Sequence, residues 1–196
     1  TATDERGATA TQTFDLYVEN VNDDPTISGL PSDVTATEDQ VSDLDLSAAT
    51  LTDEDAGDND VTLTLAVDAG TLSTANSGDV TVTGSGTASL TLTGTTAAIN
   101  TVLDTPANIQ YTGAQDANGD NAATLTLTAN DNGHTGTGGG NDVELGTVNI
   151  DITPVNDAPV NTEAPTVGGP AVYNGTLAAD AGAWNDEKDN AVRDDD

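Results

Sequence analysis

Positive charge is almost missing from this chain. Its 196 residues carry 34 acids against three Lys and Arg, for a formal net charge of −31. The three bases are Arg6, Lys188 and Arg193, so no Lys or Arg stands between residues 6 and 188. Ion pairs within the chain cannot neutralise its middle, and like charges gathered in a compact state repel one another. The acids must either spread over solvent or gather round an external cation. Nucleic acid is excluded as a partner, because its binding rests on Lys and Arg neutralising phosphates. Attraction to an anionic membrane face rests on the same residues and is excluded with it.

Other absences narrow the chemistry. Without cysteine there are no disulfides and no thiolate metal sites, and the redox compartment is neither supported nor excluded. The single histidine, His134, lies in a Gly-rich stretch that suits solvent exposure, and no Ser-His-Asp set or nucleophile elbow is recognisable. Three Tyr, one Phe and one Trp are too few to line a sugar cleft, although so acidic a chain offers many carboxylate pairs of the glycosidase kind. An enzyme is therefore not expected. The one Lys lies outside the complete domain delimited below, which rules out a Lys–Asn cross-link there. No signal peptide, lipidation motif or long apolar run is visible. There is no Met, and the chain opens inside a repeat, so it reads as a window on a longer polypeptide.

What is present is Thr, Val, Leu, Ile and Ala in alternation. β-Branched residues suit pleated, half-buried strands. Strands are predicted at Asp33–Glu38, Asp43–Ser47, Val61–Val67, Asp79–Thr83, Ser89–Thr93, Ile109–Thr112, Ala123–Ala129 and Val148–Ile152, with Gly, Asn and Asp between them. Ile99, Val102 and Leu103 fall at helical spacing within Thr95–Pro106 and predict one short helix. Many short strands point to an all-β sandwich.

The stretch VNDDP (Val21–Pro25) returns as VNDAP (Val155–Pro159), with its asparagines 134 positions apart. Each copy follows an alternating segment, Thr13–Asn20 and Thr147–Pro154, and each segment follows an acid-bearing turn, TATDERG and TANDNG. A period this long predicts tandem domains rather than a solenoid. The expected organisation is residues 1–23 as the last strands of a preceding repeat, 24–157 as a complete sandwich, and 158–196 as the start of a following domain. Within the first part, Phe14, Leu16 and Val18 alternate like a half-buried strand.

The acids cluster in turns: the two Asn-Asp linkers, TDEDAGDND (Thr52–Asp60), QDANGDN (Gln115–Asn121) and ANDNG (Ala129–Gly133), with Glu38 ending a strand. Calcium takes 6–8 oxygen ligands at about 2.3–2.6 Å from carboxylates, Asn carbonyls and backbone, and turns rich in Asp, Asn and Gly supply them. Magnesium suits them less, because it keeps its waters in a tight octahedron. An EF-hand fails at DANGDN: the position for Gly holds Asn121 and the position for the bidentate Glu holds Leu127. The Gly-rich GHTGTGGGND (Gly133–Asp142) reads as a hairpin loop and not as a phosphate loop, since no Lys follows.

These motifs resemble bacterial cadherin-like repeats of large surface adhesins of the RTX and biofilm type, over about Thr26–Pro159. The turn Ala129–Gly133 is similar to the cadherin A-x-D-x-G, Val155–Pro159 to the linker, Asp53-Glu54-Asp55 to D-x-D, and Glu38 to the first-strand Glu. Asp116-Ala117-Asn118 stands where D-R-E would, with Asn118 replacing a Glu. The tail, with its Gly-Ala-Trp, resembles the start of a bacterial Ig-like repeat. The resemblance implies an Ig/cadherin-like Greek-key sandwich in tandem array with Ca2+ at each junction. The first junction would use Asn22, Asp23, Asp24, Asp53, Asp55 and Asp131. The second would use Glu38, Asp116, Asn118, Asn156 and Asp157, with Asp186 and Asp189 as weaker contributors from the following domain. It also implies an extracellular or bacterial cell-surface location, a role in cell adhesion, and neighbouring repeats of the same chain as partners.

Plainer readings stand beside these. Asp43, Asp45, Asp68 and Asp79 suit a solvated acidic coat. Trp184 suits a core better than a sugar platform, Tyr111 suits packing, and the glycosylation pattern Asn174-Gly175-Thr176 recurs often by chance. Two functional alternatives remain: direct binding of a homophilic, cell-surface or glycan partner, or a spacer of an extracellular hydrolase.

Overall fold

The computed structural model describes residues 1–75, 78–134, 136–169, 172–173 and 175–185. Along the chain lie β1 (Ala2–Thr3), β2 (Thr9–Ala10), β3 (Thr26–Ser28), β4 (Asp33–Thr37), β5 (Val41–Asp43), β6 (Thr50–Thr52), β7 (Val61–Val67), β8 (Thr71–Thr74), β9 (Thr81–Thr83), β10 (Ser89–Gly94), α1 (Thr96–Leu103), β11 (Ile109–Thr112), β12 (Gly119–Asn130), β13 (Val143–Thr153), β14 (Val160–Glu163), β15 (Thr166–Gly168), β16 (Ala178–Asp180) and β17 (Ala183–Asn185).

The protein is an all-β sandwich. One sheet has the order β4-β13-β12-β7-β10-β9, and a smaller one the order β5-β11-β8, with β3 and β6 paired beside them. All these pairings are antiparallel except β4 with β13, which is parallel. Alternation in the sequence becomes alternation in burial: along β7 the Val and Leu positions are buried and the Thr and Ala positions half-buried. Leu63, Leu65, Leu90, Leu92, Leu125 and Leu127 of the large sheet join Leu72, Ile109 and Tyr111 of the small one in a single apolar core. The Tyr111 hydroxyl donates to Ala69 O at 3.1 Å, which satisfies its polar end.

Helix α1 closes one side of the core. Thr95 caps it by accepting from Ala98 N, and Ile99, Val102 and Leu103 are its buried face. Asn100 bonds both backbone groups of Leu51: Leu51 N donates to its Oδ1 at 2.8 Å, and its Nδ2 donates to Leu51 O at 2.9 Å. A side-chain amide thus takes the place of a neighbouring strand for β6.

Several expectations are corrected. Residues 44–47 are not a strand. Leu44 and Leu46 are buried, and Leu44 N still donates to Ile109 O, but Asp45 Oδ1 accepts from the Ser47 amide and hydroxyl and leads the chain into a turn at residues 47–48. Residues 13–20 are not a strand either. A strand needs a neighbour's backbone groups, and among the described residues none pairs with this segment. Phe14, Leu16, Tyr17 and Val18 are accordingly 79–92% exposed, not half-buried. Trp184 is 60% exposed rather than a core residue, its indole N–H reaching only Ala181 O. Strands β3, β6 and β8, three or four residues each, are too short to show a period.

The topology sets two poles. The chain crosses between sheets after β4 and again before β12, and these turns meet the end of β13. At the opposite pole β12 ends, β13 begins, β7 begins and the incoming linker arrives beside β6. The length of β12 separates the poles by roughly 35 Å at about 3.3 Å per residue.

Candidate metal centres

At the entry pole the linker is seated on the sandwich. Val21 forms a parallel bridge to Thr137, Asn22 N donates to Thr137 O, and Thr137 N donates to Asn20 O at 3.2 Å. Asn22 Nδ2 donates to Asp23 O at 3.1 Å, which turns Oδ1 the other way. Asp23 N donates to Asp55 Oδ2 at 3.2 Å, and Asn20 Nδ2 reaches the same oxygen. Asp53 Oδ1 accepts from Asp55 N and Ala56 N and folds the acidic loop after β6. Asp23 and Asp24 are exposed and line an open acidic cleft with Asp53 and Glu54.

Asp131 is 1% exposed, just beyond the end of β12. Its Oδ1 accepts from Gly133 N at 3.1 Å and Gly140 N at 2.7 Å, stapling the Gly-rich loop at both ends. Its Oδ2 is buried with no hydrogen-bond donor, as are Asp53 Oδ2 and Asn22 Oδ1. Buried acceptors are ordinarily paired, and an unpaired one costs roughly 1–3 kcal/mol. Three such oxygens at one pole, two from carboxylates, are an array of acceptors lacking a donor or cation. The two carboxylates are shifted in opposite directions. Burial and then the Asp55 carboxylate push Asp53 above its ordinary pKa, although Ala56 N–H pulls the other way. Burial pushes Asp131 up as well, but the Gly133 and Gly140 amides, with the neighbouring Asn22 side chain after them, outweigh it and hold the carboxyl below its ordinary value.

At the exit pole Glu38 is 1% exposed and fully engaged: Oε1 accepts from Asn118 Nδ2 at 2.9 Å and Oε2 from Val155 N at 2.8 Å. It ties the turn after β4 to the segment before β12 and to the outgoing linker. Beside it the carboxylates of Asp39, Asp116 and Asp157 lie within 4.8 Å of one another, and this triplet can hold a metal ion. Among the described residues it is the only such group of three. Asp53, Asp55 and Asp131 do not form such a group; Asp55 meets the linker at Asp23 N, and Asp53 bonds within its own loop. Asn156 Nδ2 donates to Asp157 O, repeating the bond of Asn22 to Asp23 O, so the two copies of the linker motif fold alike locally.

The expected ligands thus divide between the poles, with Asn22, Asp23, Asp24, Asp53, Asp55 and Asp131 at one and Glu38, Asp116, Asn118, Asn156 and Asp157 at the other. Asp186 and Asp189 lie outside the described residues. The sequence reading missed Asp39. Its signal is an Asp at a left-handed turn position, φ 54°, immediately after a buried Glu; Asp116, at φ 58°, is its counterpart. Of the acids assigned to a coat, Asp68 accepts from Thr124 N and Asp43 from Gln110 Nε2, so both hold strands, while Asp79 is exposed. His134 is exposed. No helix among the described residues is long and apolar enough to cross a membrane.

Comparison of the chain with protein-family models, with curated proteins and with solved structures finds no match in any of the three.

Proposed function

We propose that this chain is a calcium-binding structural module of a secreted bacterial surface adhesin: cadherin-like domains in tandem, stiffened at their junctions, with no catalytic role. The observation that carries the reading is the set of buried, donor-less oxygens at the entry pole, Asn22 Oδ1, Asp53 Oδ2 and Asp131 Oδ2. An all-oxygen donor set with no nitrogen or sulfur suits a hard cation, and its number and flexibility suit calcium. Bound calcium would supply the positive charge that no Lys or Arg brings to this region. Asp131 presents Oδ2 because two loop amides fix Oδ1, and Asn22 presents Oδ1 because its Nδ2 is turned toward Asp23 O. One of these groups belongs to the linker and the others to the sandwich, so a cation shared between them fixes the direction of the chain entering the domain. The exit pole repeats the device with the outgoing linker, through Asp157 beside Asp39 and Asp116. Poles at opposite ends of long strands suit an extender, which transmits length from one junction to the next.

Titration calorimetry of the whole chain tests this. Calcium is expected to bind the native protein with a dissociation constant of about 10⁻⁴–10⁻³ M or tighter. Binding at tenfold excess over that constant stabilises the fold by about 1.4 kcal/mol. Asp131→Ala should abolish the entry-pole heat, and Asp79→Ala should leave it unchanged; equal effects, or no heat from the native protein, refute the reading.

A further inference from the structure

Two glycines of the loop between β12 and β13 have a conformational freedom they do not use. Gly133, Gly138 and Gly140 adopt positive φ, which accounts for glycine there. Gly136 and Gly139 do not. Any residue can adopt their backbone, so what they provide is room. A Cβ on Gly136 would collide with Asn22 N and stand 2.8 Å from Asn22 Cα. A Cβ on Gly139 would collide with Asn22 Oδ1 and stand 2.5 Å from Asp131 Oδ2. Both missing side chains point at the linker asparagine, and the second points at two of the donor-less oxygens. Between them Thr137 exchanges backbone bonds with Asn20 and Asn22.

We infer that Gly136–Gly139 is a clasp that seats the linker against the sandwich and thereby brings Asn22 Oδ1 to Asp131 Oδ2, so that cation affinity at the entry pole is set by this loop. The inference rests on the calcium reading for its metal. The seating of the linker itself does not. Gly136 and Gly139 are positioning residues: they contribute no ligand atom, and their bareness lets the linker close. Asp131 Oδ1 holds the loop at Gly133 and Gly140 while the linker holds it at Thr137.

The test uses the whole chain and three variants. The three atoms nearest a Cβ in Gly136→Ala are linker backbone, Gly139→Ala touches linker and cation oxygens, and Gly168→Ala is a control whose Cβ meets nothing within 4 Å. Calcium affinity should fall about tenfold or more for both loop variants, a loss of about 1.4 kcal/mol, and stay at the native value for Gly168→Ala. Melting in chelator should be unchanged for all three, which separates positioning from global damage. Amide exchange of Asn22 and Thr137 in chelator should speed up in Gly136→Ala, where the nearest clashes are with linker backbone. Native calcium affinity in Gly139→Ala, or native exchange in Gly136→Ala, overturns the clasp. Absence of binding by the native chain overturns its control of affinity and the calcium reading together, while faster exchange in Gly136→Ala would still establish the seating.

Discussion

At the scale of single residues, two carboxylates of one site are driven in opposite directions, and pH separates them. Asp131 has a folded pKa below its unfolded value, so its contribution is stabilising at neutral pH and is lost as pH falls through the folded pKa. Asp53 has a folded pKa above its unfolded value, so its ionised form costs stability, and that cost appears as pH rises through the same region. Asp53→Asn keeps the oxygen that accepts from Asp55 N and Ala56 N but removes the charge. In chelator at neutral pH it should therefore stabilise the fold, by roughly 1 kcal/mol on the scale of a relieved buried acceptor. Near about pH 3, below both pKa values, the gain should vanish. In calcium the same substitution should weaken binding and lower the melting temperature relative to the native protein. Thermal melts in the two buffers check the reversal of sign; a variant that destabilises in both would show that Asp53 is held by contacts other than a cation.

At the scale of elements, the helix is the part that ties folding to the site. Strand β6 has β3 on one edge and the Asn100 amide on the other, and its next residues are the acidic loop Asp53–Asp55. Asn100→Ala leaves a donor and an acceptor of Leu51, itself 1% exposed, without partners. The expected loss is about 2–4 kcal/mol in urea unfolding, with calcium affinity falling too because the acidic loop loses its anchor. Thr95→Ala, which removes only the cap, should cost about 1 kcal/mol and leave affinity alone. This separation also shows what the sequence could display. Val61–Val67, Ser89–Thr93 and Ile109–Thr112 were legible because period-two burial was written into them, and the helix because Ile99, Val102 and Leu103 shared a face. Leu44 and Leu46 misled for the same reason: they alternate and are buried, yet the strand stops at Asp43 and Asp45 bonds Ser47 instead of a neighbouring strand. Asn100 carries no periodic signal at all, since its role depends on a strand 49 residues earlier. At the site, acids announced themselves by type and clustering, whereas Asp39 looked like any surface acid. The space left by Gly136 and Gly139 became visible only once the linker was placed beside them.

At the scale of the whole molecule, the net charge of −31 makes two effects easy to confuse. Any salt screens repulsion among carboxylates, and at 0.15 M ionic strength the screening length is about 8 Å. Sodium chloride alone should therefore raise the melting temperature gradually and without saturation, through the acids spread over the surface. Calcium acting at the poles should do something else: saturate, persist on top of about 0.5 M sodium chloride, and restrict the exposed segment 1–20 relative to the sandwich. About 5 mM calcium chloride adds only about 15 mM to the ionic strength, too little to matter by screening against that background. Small-angle scattering and melting should be recorded in three buffers: high sodium chloride with chelator, the same with calcium, and the same with magnesium. The expected result is a further rise in melting temperature and a narrower distribution of distances with calcium, and a smaller change with magnesium because it gives up its waters reluctantly. If calcium adds nothing to high salt, the acids are a coat with no site among them, and the donor-less oxygens at Asn22, Asp53 and Asp131 are met by water.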